Sequence, residues 1–113
     1  MKFKLAIPTK DGILCEHFGH CQQFYFANIE DGKILDSEFV TPPAHEPGLY
    51  PAWVKQQGAT EVICGGMGEK AKTLFADQDI NPYIGAEIKT PKELADDLIN
   101  GKLTVGKNAC NHK

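Results

Sequence analysis

The feature that most constrains the fold is a pair of strand-like segments joined by a two-residue turn. The first segment, "QFYFANI" at residues 23–29, is rich in aromatic side chains, and the second, "KILDSEFV", covers residues 33–40. Between them stands Asp31-Gly32, a dipeptide typical of the tight turns that join two antiparallel strands. The two segments therefore predict a β-hairpin, and any fold for this chain must contain it.

Three further segments have the pattern of strands. Residues 2–7, "KFKLAI", alternate charged and apolar side chains, and we expect Pro8 to end this strand. Residues 61–64, "EVIC", end in a continuous apolar run that is typical of buried parallel strands. Residues 80–84, "INPYI", contain Pro82, which cannot donate a backbone hydrogen bond, so this strand is expected at an edge of the sheet.

Helical signals alternate with the last two strands. Residues 52–57, "AWVKQQ", precede Gly58, a residue type that commonly ends helices. A second helix opens after "GGMG" at residues 65–68, and a third begins at Thr90, where "TPKE" has the pattern of a capping box. The side chains expected to face the core from these last two helices are Ala71, Leu74, Phe75, Leu94, Leu98 and Ile99.

The resulting element order is βββαβαβα. Because a helix that connects two parallel strands crosses over in the right-handed sense, few topologies remain. We predict an α/β fold with a mixed five-stranded sheet in the order 3-2-1-4-5, strand 2 antiparallel, and helices on both faces. We expect residues 1–103 to form a single domain and residues 104–113 to be a flexible tail.

Composition and charge disfavour several classes of partner. Among 113 residues there are 12 basic and 15 acidic side chains, which gives a net charge of −3. Such a chain has no general attraction to nucleic acid or anionic lipid, so neither nucleic acid nor a membrane is expected as a partner. The apolar run in "MKFKLAIPTK" is too short for a signal peptide. We therefore expect a cytoplasmic protein with reduced thiols.

The segment "CEHFGHC" gathers two thiols and two imidazoles in one loop. Such soft donors favour zinc, copper(I) or iron–sulfur clusters, but the cysteines stand farther apart than in a zinc finger. We favour His17 as a ligand because Phe18-Gly19 would fix its backbone. The candidate metal ligands are Cys15, His17, His20 and Cys21.

The turn "GGMG" stands where a strand gives way to a helix. Glycines let a ligand approach the backbone, and amides at the start of a helix attract anions, although the same pattern also fits a plain tight turn. The candidate cofactor-binding residues are Gly65, Gly66, Met67 and Gly68 together with Phe18 and Gly19. Cys64 is expected in the core, and no role is assigned to His45, Cys110 or His112.

The predicted topology brings these loops to one rim of the sheet. If the first two strands are antiparallel, then the first, third, fourth and fifth strands all end there, which is where α/β sheets bind ligands. The strand ends lack the carboxylates of a two-metal nuclease, and no acidic group is evident to orient a cysteine–histidine pair. We therefore do not expect an enzyme.

Read in order, several motifs resemble one known family, the nitrogenase accessory factor-like proteins, also called dinitrogenase iron-molybdenum cofactor biosynthesis proteins. These motifs are "KLAIP", "HFGHCQQFYF", "GATEVICGGMG" with "KAKTLF", and "GKL". The resemblance implies a three-layer ribonuclease H-like fold without nuclease activity. It also implies a role in binding, carrying or protecting iron–sulfur or molybdenum-containing cofactors. The positions that match its HFG motif and its glycine turn are His17, Phe18, Gly19, Gly65, Gly66 and Gly68.

Three functions are compatible with these patterns. The favoured one is a small carrier for an iron–sulfur or iron–molybdenum type cluster, which would exchange this cargo with cofactor-assembly or acceptor proteins. The second is a zinc or redox-thiol protein that uses the cysteines and histidines of the first loop. The third is a protein-interaction module without a ligand.

Overall fold

The computed structural model describes residues 2–15, 21–43, 49–67, 69–103 and 105. Within these residues, six strands alternate in part with three helices. The strands are β1 (Lys2–Lys10), β2 (Ile13–Leu14), β3 (Gln23–Glu30), β4 (Lys33–Val40), β5 (Glu61–Cys64) and β6 (Asn81–Ile84). The helices are α1 (Leu49–Gln56), α2 (Glu69–Asp77) and α3 (Pro91–Ile99). None of these helices is long and apolar enough to cross a membrane.

The strands form one mixed sheet, which confirms the predicted α/β class. Five strands lie in the order β4-β3-β1-β5-β6, and β2 pairs with β1 off this path. Strand β3 is antiparallel to both of its neighbours, whereas β5 is parallel to β1 and β6 is parallel to β5. The predicted count of five strands is wrong, because β2 is a sixth strand of only two residues.

The prediction that Pro8 ends β1 is also wrong. The strand continues to Lys10, and Pro8 pairs with Phe24 of β3. On its other side, β1 pairs with β5 only at Leu5 and Ala6, so Pro8 lies beyond that ladder. The missing amide hydrogen of Pro8 therefore does not interrupt the pairing with β5, and a proline is tolerated there.

A second tight hairpin follows directly. Asp11 and Gly12 both have positive φ, at 57° and 83°, and the turn pairs Thr9 with Leu14. Asp31 and its glycine neighbour repeat these angles in the predicted β3–β4 hairpin. Positive φ at both central residues defines the turn type that matches the twist of antiparallel strands.

Buried side chains form one cluster on each face of the sheet. The first cluster packs under α1 and α2 and contains Ala6, Phe24, Phe26, Tyr50, Val54, Ala59, Val62, Cys64, Met67, Phe75 and Ile80. The second packs under α3 and contains Leu5, Ile7, Leu14, Tyr25, Ala27, Ile29, Ile63, Ala86, Leu94 and Ala95. This division follows from the alternation of side chains along each strand, and it confirms that helices cover both faces.

The helix boundaries agree with the predicted signals in part. The capping box of α3 is formed, since the Thr90 hydroxyl accepts from the Glu93 amide at 3.3 Å and the Glu93 carboxylate accepts from the Thr90 amide at 3.3 Å. Helix α1 begins at Leu49, three residues before the predicted start, and Gly58 follows its end with φ of 90°. In α2, Phe75 is fully buried as predicted.

Strand β4 is an exposed edge of the sheet. Six of its eight residues are exposed, including Leu35 at 55% and Phe39 at 48%. Its pairing with β3 is interrupted by a bulge, because the register shifts between Asn28 and Ile29. Asp36 accepts a hydrogen bond from the Asn28 amide, and Glu38 lies two residues farther along the strand.

Of the predicted tail, residue 105 is described. Val105 forms an isolated antiparallel bridge with Ala86, in the segment that follows β6. Residues 104 and 106–113 lie outside the described part of the chain. The domain limits therefore stay a prediction.

Candidate functional site

Backbone hydrogen bonds join the segments that follow β1, β5 and β6, where the sequence predicts loops at one rim of the sheet. The Leu14 amide of β2 donates to the Lys89 carbonyl at 2.9 Å, which connects the segment after β1 to the segment after β6. The Gly85 amide donates to the Gly65 carbonyl at 2.7 Å, which connects the segments after β6 and β5. The carboxyl ends of β1, β5 and β6 thus lie at one rim.

The segment "CEHFGHC", residues 15–21, is called the Cys/His loop below, and the chain at both of its ends is hydrogen-bonded to neighbouring residues of β1. On one side, the Cys15 amide donates to the Pro8 carbonyl at 2.9 Å. On the other side, the Gln22 amide donates to the Thr9 carbonyl at 2.8 Å. The described residues on either side of the loop, Cys15 and Gln22, therefore lie next to each other at the end of β1.

Cys21 lies against the start of α1, the helix that follows β4. It is partly buried and packs on the cluster under α1 and α2, and its sulfur is hydrogen-bonded to the Tyr50 side chain. Tyr50 lies in the first turn of α1, after the connection from β4. Its ring is buried and meets Phe24 edge-on, with the ring centroids 5.6 Å apart. The segments that follow the carboxyl ends of β1, β4, β5 and β6 therefore all contribute described residues to this rim.

The environment of Cys21 keeps its sulfur protonated. Burial and, after it, the nearby Cys15 sulfur raise the pKa of the Cys21 thiol to about 12, although hydrogen bonds with its own backbone and with the Tyr50 side chain oppose this rise. Burial and the nearby Cys21 sulfur raise the pKa of Tyr50, so its hydroxyl stays protonated as well. A metal that binds Cys21 must displace a proton, because thiolate is the ligating form.

Two other sulfur atoms at the rim belong to the core. Cys64 and Met67 are fully buried in the cluster under α1 and α2. The Cys64 thiol donates to the Tyr83 carbonyl at 3.7 Å, across the β5–β6 pair. Cys64 is thus a core residue, as the sequence predicted. Met67 packs beside it, and its predicted contact with a cofactor stays a prediction.

The glycine turn leads directly into α2, which begins at Glu69. Gly65 and Gly66 are buried, and the Gly65 carbonyl is occupied by the Gly85 amide. Glu69 is an exposed carboxylate in the first helical turn, where it already complements the positive end of the helix dipole. An anionic cargo at this turn would compete with that carboxylate, so the turn is a weaker anchor than the sequence suggests.

Several predicted site residues lie outside the described part of the chain. They are His17, Phe18, Gly19, His20 and Gly68, and His45 lies outside it as well. Among the described residues, no three histidine, cysteine, aspartate or glutamate side chains stand together as a metal-binding group. The described donors are therefore the two thiols at the ends of the loop, with Tyr50 beside one of them.

A cavity of about 480 Å³ lies at the other end of the sheet. Its walls include Phe3, Ile29, Tyr83 and Leu98, and it opens near the start of β1 and the turn of the β3–β4 hairpin. Of the described residues, no cysteine, no histidine and no predicted site residue lines this cavity, and its described walls lie away from the rim.

Sequence reasoning missed Tyr50. The signal was weak, because Tyr50 stands in the proline-rich segment "EPGLYP", ahead of residues 52–57, whose pattern predicts the helix. The relation becomes visible only in the fold, where the first turn of α1 places the Tyr50 side chain beside Cys21.

Known proteins with similar sequence and structure support one family. An uncharacterized protein of Methanocaldococcus jannaschii is 31% identical over 85 residues, which cover 71% of this chain and 72% of that protein. The crystal structure of PH0822 superposes with a TM-score of 0.85 at 30% identity, over 90% of this chain and 93% of that one. The apo form of the orange protein from Desulfovibrio gigas shares the fold, with a TM-score of 0.74 at 18% identity and 93% of each chain covered. Residues 1–101 match the family model described as "Dinitrogenase iron-molybdenum cofactor", and the chain belongs to this family.

Proposed function

We propose that this protein is a cytoplasmic carrier for an iron–sulfur or iron–molybdenum type cluster. The cluster is its cargo, received from and delivered to cofactor-assembly or acceptor proteins. One observation carries the proposal: β1 holds both ends of the Cys/His loop on adjacent carbonyls, with two thiols close enough to influence each other. Membership in the family described by the iron-molybdenum cofactor supports the kind of cargo.

The donor set suits such a cargo. Thiolate and imidazole are ligands that iron–sulfur clusters use, and Cys15 and Cys21 supply the thiolates once their protons are displaced. In this proposal His17 ligates, with His20 as a further donor from the same loop. In the same proposal, the cofactor-binding residues are Gly65, Gly66, Met67 and Gly68 together with Phe18 and Gly19.

In this proposal the protein binds the cluster and releases it, and it catalyses no reaction. Cys15 is 4% exposed, whereas Cys21 is only partly buried, so the loop has an inner and an outer end. Release would begin at the outer end, where protons and an acceptor can reach the sulfur. The strand order and the helices on both faces support the ribonuclease H-like fold that the family resemblance implies.

Anaerobic reconstitution tests the carrier. The reduced protein is incubated with ferrous iron and sulfide, desalted, and assayed for absorbance, iron and acid-labile sulfide. We expect a brown protein whose iron content falls at least about 10-fold in His17→Ala, because a lost ligand costs at least as much as a lost outer contact. Cys64→Ala is the matched control, since it removes a core thiol, and it should keep its iron.

Two outcomes decide against the carrier when a parallel incubation supplies zinc and zinc is counted as well. One tightly bound zinc without sulfide would identify the zinc or redox-thiol protein, which the pairing of Cys15 and Cys21 also favours. A protein that takes up neither iron nor zinc would be an interaction module without a ligand.

A further inference from the structure

We propose that the cavity at the other end of the sheet binds a small molecule with an apolar ring or chain and a protonated amine, and that the Glu61 carboxylate receives the amine. The cavity has a volume of about 480 Å³, within the range of roughly 300–1,000 Å³ that is typical of small-molecule sites. This site is independent of the Cys/His loop, so the inference does not rest on the carrier function.

The walls of the cavity are apolar side chains that the fold leaves incompletely covered. They come from β1, β6 and the last turn of α3, and those that are only partly buried are Phe3, Tyr83, Leu98 and Ile99. Ile29 of β3 is fully buried beside them, and all five belong to the cluster under α3. Because apolar surface that faces a shared concavity gains from the exclusion of water, a ligand with an apolar body fits these walls.

Glu61 is a carboxylate on an otherwise apolar face of the sheet. It opens β5, where it is partly buried, and alternation along the strand places it on the same face as Ile63, which packs under α3. Its partner on β1 is Leu5, another residue of that cluster. Within the described part of the chain, the Glu61 carboxylate makes no hydrogen bond or ion pair. A half-buried charge of this kind is stabilised by a cationic partner.

The other charges around the cavity also favour a cation. Lys2 and Asp31 border it, but alternation along β1 directs Lys2 to the face opposite to that of Phe3 and Glu61. Helix α3 ends beside the cavity, and its last turn, which is described in full, contains no basic residue. No side chain of that turn therefore offsets the partial negative charge of the final helical carbonyls. A protonated amine is attracted by these carbonyls and by Glu61, whereas an anion is repelled.

Three probes that share one ring test the site: tryptamine is a cation, 3-methylindole is neutral and indole-3-propionate is an anion. Each is titrated into the full-length, nitrogen-15-labelled protein, and the amide chemical shifts are followed. We expect tryptamine to bind with a dissociation constant of about 1 mM or below, which suits a ligand of this size. Its shifts should centre on Phe3, Glu61 and Leu98. The neutral probe should bind about 5–10-fold more weakly, because it lacks the charged hydrogen bond, and the anion more weakly still.

Glu61→Gln keeps the size of the side chain and removes its charge. It should weaken tryptamine binding about 5–10-fold and leave the binding of 3-methylindole unchanged. Glu38→Gln is the matched control, because Glu38 is an exposed carboxylate that pairs with Phe26 on the other face of the sheet, and it should bind tryptamine as the wild-type protein does. The amide spectra show at the same time that both variants are folded.

Four results overturn the inference. Tryptamine produces no shifts, or its shifts lie only outside the walls of the cavity. Alternatively, Glu61→Gln binds tryptamine as tightly as the wild-type protein does, or indole-3-propionate binds more tightly than tryptamine.

Discussion

The ends of β1 and β5 lie side by side at the same rim, and both carry sulfur, yet the structure treats them differently. After β5, Cys64 and Met67 are fully buried, and the thiol of Cys64 donates to a neighbouring carbonyl. After β1, Cys21 is only partly buried, and its sulfur is hydrogen-bonded to the Tyr50 side chain. The residues after β5 are fully enclosed in the core, whereas Cys21 keeps part of its surface exposed.

This contrast shows that the position of a strand end does not decide the role of its side chains. Strand β5 has partners on both sides and helices on both faces, so its end is covered. Strand β1 extends past its pairing with β5, because its register with that strand stops at Ala6, and its last residues carry a hairpin and a loop. The extra length of β1 places the two carbonyls that bond Cys15 and Gln22, those of Pro8 and Thr9, beyond its pairing with β5.

The largest expected difference between the two ends is in thiol chemistry. With a pKa of about 12 in place of its ordinary 9.0, Cys21 has a thiolate fraction at pH 8 that is lower by roughly 1,000-fold. Its rate of alkylation by iodoacetamide in the metal-free protein should therefore keep rising with pH well beyond pH 9. Cys64 should stay unmodified until the protein unfolds, because no reagent reaches it. Mass spectrometry of peptides from each time point measures both rates, and a Cys21 rate that levels off near pH 9 would remove this contrast.

Next in size is the effect of truncation on stability. Met67→Ala removes a fully buried side chain and should lower the free energy of unfolding by about 2–5 kcal/mol. Cys21→Ala at the partly buried end should cost only about 1 kcal/mol, mainly the lost hydrogen bond. Urea denaturation of both variants at neutral pH provides the comparison. Equal losses for the two variants would mean that both ends are core.

The smallest effect concerns the turn that precedes Cys15. Gly12 has φ of 83° and open space around it, so Gly12→Ala should cost about 1 kcal/mol from backbone strain alone. Gly101→Ala, after α3, carries the same kind of strain with equally open space and should cost about the same. Only Gly12→Ala should also lower the iron retained after reconstitution, because it disturbs the hairpin that leads to Cys15. Equal iron contents in the two variants would separate the hairpin from the site.

Local patterns predicted the parts of the fold that local chemistry determines. The Thr90 capping box and the edge position of the strand with Pro82 follow from hydrogen-bond donors that are present or missing. The Asp31-Gly32 hairpin was recognised, whereas the same dipeptide at Asp11-Gly12 was not, because β2 has only two residues and shows no alternation. The prediction that Pro8 ends β1 is wrong because a strand can continue through a proline when no neighbouring strand needs its amide hydrogen, and the sequence does not show which strands are neighbours.

The candidate site was less accessible to prediction from the sequence. The thiols of Cys15 and Cys21 were identified from their residue types, but the partner of Cys21 stands 29 positions away along the chain, at Tyr50. Neither periodicity nor spacing connects them, since their contact arises from the packing of α1 against β3. The burial of Met67 likewise depends on two helices and a strand from distant parts of the sequence.

The exposed edge formed by β4 has a consequence for how another protein can approach. An open edge invites a foreign strand to extend the sheet, but the bulge at Leu35 disturbs the row of donors and acceptors, and Asp36 and Glu38 place negative charge along it. Backbone augmentation is thus discouraged along this flank of the molecule. A protein that approaches this flank therefore has to engage through side chains, which makes recognition there dependent on shape and charge rather than on a shared sheet.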